Sequence, residues 1–176
     1  MAGDNKEAVI LMGHGSRVPD AGQGMEAVAR ILKETGFCGI VEVCYMERLG
    51  PRFGEALARC VAAGAKRIVL IPYFLHRGLH TRVDIPNMMR HEADKYPGIT
   101  VIFGNNLGYD DLLLQLVKKR IGESRLLSDV RKTEPQEREK YPLPPEAPVF
   151  VTMSQEEAAE YKEKHGDCDH HHHHDH

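Results

Sequence analysis

Residues 67–86 read RIVLIPYFLHRGLHTRVDIP, and they carry the chain from an apolar run to a polar rim within one short stretch. The opening run, counted from Lys66 to Leu75, is apolar and rich in β-branched residues, as a strand covered on both faces requires. The polar part then sets His76 and His80 four residues apart, with Gly78 between them and Arg77 and Arg82 alongside. Gly78 argues against a helix across the two histidines. Asp84 is placed to N-cap a helix whose first turn tolerates Pro86. A strand followed directly by a loop and a helix is a βα unit, and the unit repeats along the first 122 residues.

Upstream, EAVILMG (7–13) is an apolar run ending in glycine, and AGQGMEAVARILKETG (21–36) spaces Met25, Val28, Ala29, Ile31 and Leu32 as a helix does, with Gly36 as its stop. GIVEVCYM (39–46) alternates as a strand, and PRFGEALARCVAAG (51–64) has the proline start and glycine finish of a helix. Downstream of the opening stretch come the helix DIPNMMRHEADKY (84–96), the strand GITVIFGN (98–105) and a last helix, YDDLLLQLVKKRIG (109–122). That last helix is acidic at its start and basic at its end, as the macrodipole favours. Four βα units in succession predict an α/β domain with a four-stranded parallel sheet flanked by helices on both faces. Ligands bind beyond the carboxyl ends of such strands. The rule selects GHGSR after the first strand, ERLGPR after the second and HRGLHTR after the third.

The 176 residues suffice for one well-packed domain, and 41% hydrophobic with 28% charged residues is a soluble, globular balance. No run approaches the roughly 20 apolar residues that span a bilayer, so no membrane partner is expected. Acidic residues precede the first apolar segment, unlike a secretory signal. The cysteines Cys38, Cys44, Cys60 and Cys168 show no C-x-x-C spacing, and the first three fall in expected strands or helices. Reduced core thiols there fit a cytoplasmic protein. Residues 1–122 hold 16 Lys/Arg against 13 Asp/Glu, and residues 123–176 hold 7 against 13. A mildly basic body suits an anionic small ligand and is far too weakly charged for nucleic acid.

Beyond residue 122 the periodicity stops. Residues 123–152, with SRLLSDVRKTEPQEREKYPLPPEAP, read as an acidic, proline-rich linker. Residues 153–176 read as a short helix, with Ser154 and Glu157 at capping-box spacing, and then a flexible histidine-rich tail. The tail offers His170, His171, His172, His173, His174 and His176 as metal ligands beside Asp167, Cys168, Asp169 and Asp175. Five consecutive histidines with interleaved aspartates differ from the uninterrupted six of an affinity tag, so the tract reads as native.

Each rim residue has a plain reading beside a functional one. His14 closes a strand between two turn glycines, or serves chemistry. Its loop lacks both P-loop and dinucleotide spacing, so no nucleotide or organic cofactor is implied. His76 is a solvated neighbour or a partner of His80, and His91 decorates a helix surface. Glu47 is a salt-bridged carboxylate or a ligand. Arg17, Arg48, Arg52, Arg77 and Arg82 are solvated charges or, taken together, a carboxylate- or phosphate-binding surface. GHGS is no nucleophile elbow, and no four-ligand zinc set is visible. Metal insertion into a macrocycle suits two imidazoles better. Few ligands let the ion leave, imidazole suits cobalt, nickel and iron, and pyrrole protons want a base near neutrality.

ILMGHGSR, YMERLGPRFGEAL and IPYFLHRGLHTRVDIP, in that order and spacing, resemble the small-type sirohydrochlorin cobaltochelatases of the class II chelatase family. The likeness covers roughly residues 7–122, and its strongest part is the combination of G-H-G-S with F-L-x-x-G-x-H-x-x-x-D-I-P. The resemblance implies that Co²⁺ is inserted into sirohydrochlorin for cobalamin biosynthesis. It implies that His14 and His80 are catalytic and receive the metal, and Glu47, from its place at the end of the second strand, is expected as a further metal ligand. Ser16, Arg17, Arg48, Arg52, Arg77 and Arg82 are then expected around the carboxylate-rich tetrapyrrole. A homodimer is implied as well. His76 lies at a variable position of the motif, and the tail has no counterpart in the shortest members. Fe²⁺ or Ni²⁺ in place of Co²⁺ is the nearest alternative. A histidine-rich metal-storage protein or metallochaperone on a βα body is the alternative from another class.

Overall fold

The computed structural model describes residues 6–16, 18, 20–46, 50–135, 137 and 140. All of them belong to the first of two units, Met1–Pro144, and the second unit, Pro145–His176, lies outside the described residues. The strands are β1 (Glu7–Gly13), β2 (Ile40–Tyr45), β3 (Arg67–Pro72) and β4 (Thr100–Phe103). The helices are α1 (Gln23–Glu34), α2 (Phe53–Ala62), α3 (Ile85–Ala93) and α4 (Asp111–Ser124). The strands form one parallel sheet in the order β2-β1-β3-β4.

Alternation along the strands divides the core in two. Ala8, Ile10 and Met12 of β1, Cys44 of β2, and Ile68 and Leu70 of β3 face α2 and α3, packing on Phe53, Leu57, Cys60, Ile85 and Met89. Leu11 and Val41 face the other way and meet Met25 and Ala29 of α1. Phe53 is 1% exposed and the largest side chain in the interior, so it anchors α2 to the sheet. Gly64 ends α2 with φ +88°, donating to the Val61 carbonyl, while Ala65 donates to that of Cys60. That is a Schellman closure, and glycine enters its left-handed position without a Cβ clash.

Three expectations need correction. Val28 and Ile31 of α1, placed with the apolar stripe, are exposed, since a stripe this narrow leaves only Met25, Ala29 and part of Leu32 against the sheet. Asp84 does not cap α3. Its backbone is already helical (φ −68°, ψ −49°), because a π-helical turn, His80–Asp84, runs directly into α3. Helical geometry thus begins just after Gly78, whose carbonyl accepts from the Arg82 N–H and the Thr81 hydroxyl. Finally, α4, expected to flank the sheet, is capped by the Asp110 carboxylate, which accepts from the Leu112 N–H at 2.8 Å, but none of its residues is buried. Leu114, Leu116, Val117 and Ile121 stay exposed, and an open cavity of about 580 Å³ runs between Leu75 and this helix.

Candidate active site

Strand register builds the site. Met12 of β1 pairs with Pro72 of β3 and Gly13 pairs with Tyr45 of β2, so three strands end level. The Tyr73 N–H bonds the Met12 carbonyl at 2.8 Å and the Met46 N–H bonds that of Gly13 at 3.0 Å, tying the first rim residues together. His14 follows β1 directly. His80 is carried from β3 by the 73–79 loop and held in the π-helical turn. Because β1 and β3 are neighbours, the two rings meet with centroids 5.9 Å apart at 71°. Phe74 stands edge-on to His14, with centroids at 6.5 Å, and gives the pair an apolar side.

His80 has a carboxylate partner. Its Nδ1 lies 2.7 Å from Oδ2 of Asp84, four residues on, and both side chains are about half exposed. The Nδ1 of His14 lies 3.4 Å from the Gly15 carbonyl, a long contact. His76 is exposed in the loop before Gly78, and His91 lies on the outer surface of α3 beside Glu92. Among the described residues no group of three or more His, Cys, Asp or Glu side chains is arranged to hold a metal ion.

The rim arginines divide. Arg77 donates to the side-chain oxygens of Asn105 and Asn106 at 3.1 and 3.2 Å, and Asn106 in turn donates to the Phe74 carbonyl at 3.1 Å. Arg77, Arg82, Thr81 and the two asparagines line a cavity of about 270 Å³ beside β4. Arg52 donates instead to the Met46 carbonyl, clasping the β2–α2 loop. Ser16 accepts from the Val18 N–H at 3.1 Å and so shapes its own turn. Arg17, Glu47 and Arg48 lie outside the described residues, as do His170, His171, His172, His173, His174 and His176.

A second cavity, about 470 Å³, opens on the α1 side of the rim and is lined by His14, Ser16, Met25, Glu26, Tyr45 and Tyr73. The Tyr45 hydroxyl donates to the Glu26 carboxylate at 2.8 Å. Burial first, and then that carboxylate, push the phenol up to about 12, so it remains a neutral donor. Tyr45, Glu26, Asn105 and Asn106 were not singled out from the sequence, and Asp84 was read there as a helix cap and not as a site residue.

The chain is similar to known proteins in sequence and in fold. The CbiX family model matches residues 8–124. The chain is 36% identical over 115 residues to the chloroplastic sirohydrochlorin ferrochelatase of Arabidopsis thaliana, covering 65% of this chain and 51% of that protein. It is 31% identical over 138 residues to a sirohydrochlorin cobaltochelatase of Methanococcus aeolicus, covering 65% of this chain and 96% of that one. Among solved structures it resembles the sirohydrochlorin chelatase of Bacillus subtilis subspecies spizizenii in complex with cobalt. The TM-score is 0.63 at 30% identity, covering 67% of this chain and 50% of that one. The chain spans about half the length of several curated relatives it matches, at 51%, 40% and 46%.

Proposed function

Since the chain belongs to the CbiX family, we propose that it inserts a divalent metal ion, Co²⁺ foremost, into sirohydrochlorin. The observation that carries the reading is the pair of imidazoles, His14 and His80, with ring centroids 5.9 Å apart in the segments that follow the adjacent strands β1 and β3. An ion that must be handed on wants few protein ligands, and neutral imidazole both coordinates a borderline ion and takes up a proton. Insertion releases two pyrrole protons as the metal binds the four ring nitrogens, so the site needs an ion holder and a proton acceptor close together. Two neighbouring histidines supply both.

The substrate carries carboxylates, and Arg77 and Arg82 at the β4-side cavity are suited to receive them. The asparagine brace leaves Arg77 preset for that contact. Glu47, with Arg17 and Arg48, is assigned to the same rim from its place in the sequence. Relatives named as cobaltochelatases and as ferrochelatases match at comparable identity, so the choice of Co²⁺ rests on the small-type motif pattern. Fe²⁺ is the first alternative and Ni²⁺ the second. Metal supply as much as the site decides among ions so close in the Irving–Williams order.

A homodimer completes the site. The uncovered apolar face of α4, with Leu114, Leu116, Val117 and Ile121, supports a second copy as its cover. Free thiols at Cys38, Cys44 and Cys60 support a reducing compartment, the cytoplasm. The histidine tract is assigned to reversible metal storage or delivery, and it is the one feature that favours the storage reading. Anaerobic incubation of sirohydrochlorin with Co²⁺, Fe²⁺ and Ni²⁺ in parallel separates these readings. An insertase changes the tetrapyrrole absorption with at least one ion, fastest with Co²⁺. A storage protein binds metal and leaves the spectrum at its uncatalysed rate.

A further inference from the structure

We infer that Asp84 is a positioning residue for His80, fixing the ring in one tautomer and one orientation so that Nε2 is the atom offered to the incoming metal. The inference rests on the reading that His80 receives the ion. It starts from one contact, His80 Nδ1 to Asp84 Oδ2 at 2.7 Å. A carboxylate can only accept, so the proton in that bond belongs to Nδ1. In the neutral ring Nε2 then carries the lone pair, which is the atom a metal or a proton needs. Without a partner at Nδ1, a histidine in water prefers the proton on Nε2, where it would block the metal.

The backbone explains why the contact forms. His80–Asp84 is a π-helical turn, in which the Ile85 N–H reaches back five residues to the His80 carbonyl. Pro86 follows at the start of α3, where it lacks an N–H and its ring crowds the carbonyl four residues back, that of Arg82. A widened turn relieves that crowding, and π turns occur preferentially at functional sites. Asp84 is thereby drawn into the helix and cannot cap it, and it makes no capping bond. Its carboxylate is turned to the ring instead. Thr81 holds the other end of the turn through its 2.9 Å bond to the Gly78 carbonyl. Metal-bound histidines elsewhere donate their second N–H to a carboxylate in this way, and losing that partner weakens metal binding or activity about ten- to a hundredfold.

The full-length protein with Asp84→Asn, Asp84→Glu and His80→Ala tests the assignment. Asparagine keeps shape and size while weakening the acceptor, so folding, followed by thermal unfolding, should be unchanged. Long-range ¹H–¹⁵N spectra of the metal-free wild type should show His80 with its proton on Nδ1, and Asp84→Asn should move population toward Nε2. In insertion assays Asp84→Asn should raise KM for Co²⁺ about ten- to a hundredfold, with kcat and KM for sirohydrochlorin changed far less. Asp84→Glu should recover part of the loss. Adding Asp84→Asn to His80→Ala should change nothing further. A wild-type ring protonated on Nε2, or an unchanged KM for Co²⁺ in Asp84→Asn while His80→Ala is inactive, overturns the assignment. If His80→Ala itself inserts metal normally, the parent reading fails instead, and the spectra still decide whether Asp84 sets the ring.

Discussion

Burial decides what the cysteines do. Cys44 and Cys60 are fully enclosed, and burial pushes each thiol from 9.0 up to about 12, so neither is a nucleophile or a metal ligand near neutral pH. Iodoacetamide should label them only as fast as the protein unfolds. The folded pKa lies above the unfolded one, so the stability is fully present below pH 9 and falls as the pH rises toward 12. Urea midpoints measured at pH 8 and at pH 11 should therefore separate in the wild type, and separate less in Cys60→Ala. The rim histidines are exposed, His14 directly after β1 and His80 in the π-helical turn that follows β3. His14 was legible in the sequence because Gly13 and Gly15 mark the strand end, and His80 because it sits in the polar stretch after β3. Asp84 was not legible in its actual role. Its spacing before Pro86 fits an N-cap, and only the widened turn reveals that its carboxylate faces a ring.

Strand and helix periodicity carried most of the elements. Among the described residues the four strands and four helices fall where the apolar runs place them, but β3 ends at Pro72, paired with Met12 of β1, short of the expected Leu75. The miss concerned covering. An amphipathic pattern says which face of a helix is apolar and not whether anything lies against it, and α4 shows the difference. Two variants separate the two kinds of helix. Phe53→Ala, in the core, should cost about 3–5 kcal/mol in urea unfolding, because the cavity it leaves lies under α2. Leu116→Lys with Ile121→Lys, on the open face of α4, should leave the unfolding midpoint of the monomer nearly unchanged and abolish pairing in sedimentation. A dimer that survives both lysines would place the interface elsewhere.

At the scale of the whole molecule, the composition changes at about residue 123, where the sequence reading sets a linker and a histidine-rich tail, whereas the chain divides into units at Pro144 and Pro145. The histidine tract supplies six imidazoles within seven residues, and such tracts bind ions reversibly as the rings lose their protons near pH ~6.5. Removing residues 141–176 should leave turnover at saturating Co²⁺ unchanged and slow insertion only when Co²⁺ is scarce. Loss of activity at high Co²⁺ would move the tail into the site. The central proposal is narrower, that two histidines in the segments following β1 and β3 bring one ion to the tetrapyrrole. The direct measurement is the initial rate of cobalt insertion into sirohydrochlorin under anaerobic conditions, for the wild type and for His14→Ala, His80→Ala and His91→Ala, each first shown by circular dichroism to be folded. The account predicts rates at the uncatalysed level for the first two variants and a wild-type rate for His91→Ala. A folded His14→Ala or His80→Ala protein that still inserts cobalt at the wild-type rate would contradict it.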